Sequence, residues 1–135
     1  MDADIVTSTA HASHADKMLF PEAVGKYISA GVEYYHVNYM TRQVSFYSNK
    51  GSVICVPIPF ENLPKVSETL QVKELQSAIL DSQNNAQPYR DFSERAMKSG
   101  VQGYFAFLRG KRVVYFGRQG DLHTEWFPNA KPENT

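Results

Sequence analysis

Two imidazoles and a carboxylate stand out first: His36, and the pair His123-x-Glu125 toward the C-terminus. Two histidines and a glutamate are the ligand set of a catalytic zinc or a non-haem iron, because open sites for those ions are built from imidazole and carboxylate donors. On a strand, alternation puts His123 and Glu125 on one face about 7 Å apart along the backbone, close enough to share a ligand. The same spacing suits an ordinary surface pair balanced by Arg112 or Arg118. No metal and no cofactor is therefore expected, and His36, His123 and Glu125 are only weak metal candidates.

A second group is basic and aromatic. Arg109-Gly110-Lys111-Arg112, with Arg118, is interleaved with Tyr104, Phe105, Phe107, Tyr115 and Phe116. Rings set between cations are what a platform for single-stranded nucleic acid uses. The run Gly103 to Phe107 departs from the ribonucleoprotein motif, since the basic residue before the glycine is missing and the rings are displaced by one position. A displacement of one turns a strand's side chains to the other face. The chain's 14 basic residues balance 14 acidic ones, with a pI near 6.9, so no bulk field draws in phosphate and nucleic acid is the less favoured partner.

Nucleophilic catalysis has little to work with. Cys55, the one cysteine, lies in the apolar run Val53-Ile54-Cys55-Val56-Pro57, where a thiol reads as a small buried hydrophobe. It has no internal partner for a disulfide. No nucleophile elbow, phosphate loop or dinucleotide fingerprint is present, so the motifs argue against an enzyme.

The elements that must position these residues repeat along the chain. Sliding the sequence 69 positions against itself aligns 27–59 with 96–128 at six identities, Gly31/Gly100, Val32/Val101, Tyr35/Tyr104, Val44/Val113, Gly51/Gly120 and Pro59/Pro128. Chance supplies about two. Each half begins with a helix. One has Pro21 in its first turn and stops at Gly31, and the other runs from Tyr89 to Ser99 and stops at Gly100. Three strands then follow in each half, at about 32–40, 43–48 and 52–58, and at about 102–109, 112–117 and 120–127. Between the halves, 60–86 reads as a linker followed by an amphipathic helix carrying Val72, Leu75, Ile79 and Leu80. Ala3 to His14 reads as a frayed helix or a disordered start, and Ala130 to Thr135 as a disordered tail.

The fold class expected is α+β: two layers, a mainly antiparallel sheet of about six strands from two αβββ pseudo-repeats, with helices on one face. A chain of 135 residues makes one domain, 1–135, with halves at about 18–59 and 87–128. No apolar run is long enough to span a membrane, and the start lacks the features of a signal peptide, so a cytoplasmic chain without membrane contact is expected. The role that fits is a small binding or interaction module. Its site is expected where Tyr34, His36, Arg112, His123 and Glu125 converge, with Arg118 nearby. The ligand or protein partner is not identified by the sequence, and a homodimer is left open.

Three runs carry a resemblance. They are Ser99-Gly100-Val101-x-x-Tyr104, then Gly110-Lys111-Arg112 to Tyr115-x-Gly117-Arg118-x-Gly120, and His123-x-Glu125-x-Phe127-Pro128. With Phe20-Pro21, Ala30-Gly31-Val32 and Tyr35-His36, the chain from about 18 to 128 resembles a bacterial and prophage family of unknown function whose members often carry the label phage envelope protein. Thr124 and Trp126 depart from that pattern. The resemblance implies a compact α+β domain of about this length and no particular reaction.

Overall fold

The computed structural model describes residues 1–132. Its elements are α1 (Ala3–His14), α2 (Phe20–Ser29), β1 (Val32–Asn38), β2 (Gln43–Ser48), β3 (Val53–Pro57), α3 (Val72–Asn84), α4 (Tyr89–Lys98), β4 (Val101–Phe107), β5 (Arg112–Gly117) and β6 (Leu122–Trp126). The six strands form one sheet in the order β3-β2-β1-β4-β5-β6, antiparallel throughout. This is the α+β class expected, and every strand lies within two residues of its predicted bounds.

Local chemistry explains the helices. At the N-terminus, Asp2 accepts a hydrogen bond from the Ile5 amide at 3.2 Å, and Val6 and Ala10 are buried one turn apart. A capped helix with an apolar stripe orders the stretch that reads in the sequence as frayed or disordered. The glycine stops behave as expected. Gly31 and Gly100 sit at φ 95° and 98°, where a side chain is strained, and a Cβ on Gly100 would run into the Thr69 carbonyl. Toward the C-terminus the Ala130 amide donates to the Phe127 carbonyl at 3.0 Å, and the last part of the predicted disordered tail, 133–135, lies outside the described residues.

The elements of the second half begin at a constant interval after those of the first: Ala3 and Val72, Phe20 and Tyr89, Val32 and Val101, Gln43 and Arg112, Val53 and Leu122, each 69 apart. The turns match as well, with Arg42 and Lys111 at φ 62° and 56°, and Gly51 and Gly120 at 86° and 88°. β1 and β4 meet at the centre of the sheet with His36 opposite Phe105, two residues that are themselves 69 apart.

One face of the sheet packs under the helices. Tyr35, Val37, Val44, Phe46, Val56, Tyr104, Ala106 and Tyr115 are buried there against Ala23, Tyr27, Phe92, Ala96 and Met97. Each large side chain so buried contributes about 1.5–3 kcal/mol. The layer is rich in tyrosine, and the hydroxyls of Tyr89 and Tyr104 hydrogen-bond to each other. Burial pushes both phenols up. The irregular segment 58–71 closes over one end of this layer. Arg90 donates to the carbonyls of Glu61 and Asn62 at 3.0 and 3.1 Å, while Val66 and Leu70 are buried.

Candidate functional site: the open face of the sheet

Strand alternation sends every second residue to the side without helices, and the register sorts those residues into three rows running across the strands. The first row reads Val53, Tyr47, Tyr34, Phe107, Arg112, Trp126 from β3 to β6. The middle row reads Cys55, Ser45, His36, Phe105, Val114, Thr124, and the third reads Pro57, Gln43, Asn38, Gly103, Phe116, Leu122. Of these eighteen positions only Arg112 carries a fixed charge. None is acidic.

An antiparallel sheet with one solvated face normally shows polar side chains there. This one shows rings. Tyr34 stacks on Tyr47 at 4.7 Å between centroids, with 15° between the planes. His36 lies flat on Phe105 at 4.2 Å and 7°, and Phe105 is nearly parallel to Phe107 at 5.7 Å. The Arg112 guanidinium sits 4.0 Å from the centre of the Trp126 ring. Burial beside Phe105 holds the His36 imidazole below the usual histidine range, so it is neutral at pH 7.

The relief of the face is uneven. The first row is a ridge of large rings, while the third row drops at Gly103. There a shallow notch of about 210 Å³ is lined by His36, Gln102, Gly103, Phe105 and Phe116. The glycine is required at this point: a Cβ on Gly103 would lie 2.5 Å from the Val37 carbonyl oxygen and 3.4 Å from Nε2 of His36.

The residues expected to converge divide between the two faces. Tyr34, His36 and Arg112 stand on the open face. His123 pairs with Tyr115 and Glu125 with Val113, which places both on the helix side. Their side chains meet each other, His123 Nε2 to Glu125 Oε2 at 3.1 Å, half-buried beside the Tyr115 ring. From β1 to β6 is three strand spacings, about 14 Å, so His36 and His123 are separated both by distance and by the sheet itself. Among the described residues no cluster of three or more His, Cys, Asp or Glu side chains could hold a metal ion.

Arg118 is also elsewhere. Its Nη1 donates to the Val66 carbonyl at 3.2 Å and pins the segment between the halves. Cys55, expected to be buried, is exposed instead. Ile54 and Val56 take the helix side of β3 and leave the thiol on the open face, 3.5 Å from the Ser45 hydroxyl.

Two site residues, Tyr47 and Trp126, escape a motif search. Their signal is register: the short turns of the β1–β2 and β4–β5 hairpins place Tyr47 opposite Tyr34 and Arg112 opposite Phe107, and Trp126 follows across β5.

A two-layer α+β domain with four helices on one side of its sheet among the described residues, and an unshielded ring-bearing surface on the other, defines the class. The chain belongs to the family described as protein of unknown function (DUF1398), whose model matches residues 8–125. No activity is established for that family. Comparison with curated proteins gives no match. No helix among the described residues is long and apolar enough to cross a membrane.

Proposed function

We propose that this chain is a small protein-interaction module that works through the open face of its sheet. One observation carries the reading: six aromatic side chains, Tyr34, Tyr47, Phe105, Phe107, Phe116 and Trp126, stand half-exposed on a face that no helix among the described residues covers. A contiguous apolar patch of this kind is costly to leave in water and marks a contact surface. Rings are also the side chains that supply most of the free energy in protein contacts.

The charge on that face favours protein over nucleic acid. Arg112 is stacked on Trp126, Arg109 at the hairpin tip lies 3.7 Å from the Glu33 carboxylate, and no other cation stands in the three rows. A phosphate backbone would find little to neutralise it. The interval of 69 that relates the two halves supports a further reading, that the chain is an internal duplication whose copies diverged most on this face. There His36 answers to Phe105, and Tyr34 to Gly103.

Stability separates this role from a structural one. Phe105→Thr and Phe107→Thr, unfolded with denaturant along a dilution series so that self-association is subtracted, are expected to lose less than about 1 kcal/mol each, the range of a cross-strand pair. A loss above about 2 kcal/mol, the scale of a truncated core side chain, would show that the rings serve the fold, and the interaction reading would fall.

A further inference from the structure

Resting on that reading, we infer that the partner on the open face is a second copy of this chain, bound face to face about a twofold axis that runs along the middle row of the sheet. Three features of the face lead to this occupant.

The first is shape. Rotation about an axis along the middle row lays the first row of one copy over the third row of the other, strand for strand. Phe107 then stands over the second copy's Gly103, and Tyr34 over the second copy's Asn38. A ring of the first row meets the dip in the third, since the notch of about 210 Å³ at Gly103 lies where Phe107 arrives. The same pair forms again on the other side of the axis, so each copy gives one ring and receives one. An isologous contact requires this self-complementarity.

The second is charge. With no acidic residue and one arginine among the eighteen positions, the face offers nothing for a charged partner to read and nothing that repels its own image. Arg112, in the first row, comes over the second copy's Phe116 in the third row, away from the second copy's own Arg112.

The third is size. Six strands at about 4.8 Å and five residues at about 3.4 Å make a face of roughly 29 by 17 Å, close to 500 Å² of flat area. Side-chain relief adds to that, and two such faces together reach the ~1,000 Å² or more that a specific interface buries. Sheets that pack in this way lie about 10 Å apart with their strands nearly aligned, giving an α-β-β-α assembly of four layers.

Sedimentation equilibrium of the full chain from 1 to 200 μM, with cysteine cross-linking, tests this. The expected result is a species of twice the chain mass of 15.3 kDa. Phe107→Asp should weaken the dimer at least thirtyfold, the effect of losing a hot-spot side chain, with the far-ultraviolet spectrum of the parent. If that variant does not fold, Phe107→Thr takes its place. Cys55 lies on the middle row, so it should meet its own copy near the axis, and a bismaleimide spanning about 10 Å should join the two chains. A monomer at 200 μM overturns the dimer and leaves the interaction reading to the stability measurement above. A dimer that survives Phe107→Asp and resists cross-linking at Cys55 overturns the face. Binding of a single-stranded oligonucleotide by a monomeric chain, lost in Phe107→Asp and falling steeply with salt, would replace the second copy with nucleic acid.

Discussion

The two faces of this sheet are built from the same kind of residue and held in different ways. On the helix side, Tyr35, Phe46, Tyr104 and Tyr115 are at most 6% exposed and pack on several neighbours at once. On the open side, Tyr34, Tyr47, Phe105 and Phe107 lie half-exposed and meet one another, His36 and Phe116 along the sheet surface. Aromatic content therefore does not mark the core in this chain. What marks it is which rings meet helices.

The largest test of that contrast is a pair of truncations. Phe46→Ala, at a site 1% exposed, should cost about 3–5 kcal/mol of unfolding free energy, against less than about 1 kcal/mol for Phe107→Thr on the opposite face. Equal losses in denaturant unfolding would erase the distinction between the faces.

The histidines sharpen it. His14 is buried between Phe60 and Tyr89, its Nδ1 has no hydrogen-bond partner among the described residues, and desolvation brings its pKa down to about 4. The unfolded chain takes up this proton near pH 6.5, whereas the folded chain takes it up only near 4. The stability His14 leaves intact above pH 6.5 should therefore drain away as the pH falls toward 4, by about 3 kcal/mol from this residue alone. His14→Phe should flatten that part of a stability-versus-pH curve. His36→Phe, on the open face, should flatten it less. If the two variants gave the same curve, the covered layer would be no drier than the open one.

The smallest effect concerns the helix layer. Between α1 and α2 runs an open groove of about 710 Å³ that includes Gly25, Lys26 and Ser29. Their counterparts 69 positions on are Glu94, Arg95 and Lys98. There Lys98 pairs with Glu94, and Arg95 donates to Asp81 and Gln87. A Cβ on Gly25 meets nothing within 4 Å, so Gly25→Ala should raise stability by about 0.5–1 kcal/mol in thermal unfolding. A loss would mean that the groove is tighter than the packed pair it is compared with.

The architecture was legible because its signals are local. Helix-stopping glycines, hairpin-length turns and alternating strands each declare themselves within a few residues, and the interval of 69 ties one half to the other. α1 was harder to read, because Thr9 and Ala10 make a weak stripe and the Asp2 cap lies at the very start of the chain.

The candidate site was half legible. Tyr34, His36 and Arg112 do share a face, but polarity misled the reading of His123 and Glu125. Ionisable residues ordinarily mark the wet side of a sheet, whereas here the wet side carries rings and the helix side carries the His123–Glu125 contact at its margin. The register of β6 on β5, Tyr115 with His123 and Val113 with Glu125, shows which way β6 is turned, and that is a contact between strands rather than a property of either.

The outer strands have a consequence for assembly. Among the described residues β3 and β6 each leave one row of backbone amides and carbonyls without a neighbouring strand, the surface on which sheets of separate molecules join into filaments. β3 ends in Pro57, which has no amide to offer. β6 turns the His123 and Glu125 side chains toward the helix layer, where another strand joining the edge would have to bury the carboxylate and its imidazole partner. Sideways growth is thus opposed at both margins by different means, and the proposed contact through the flat of the sheet, being isologous, would close at two copies.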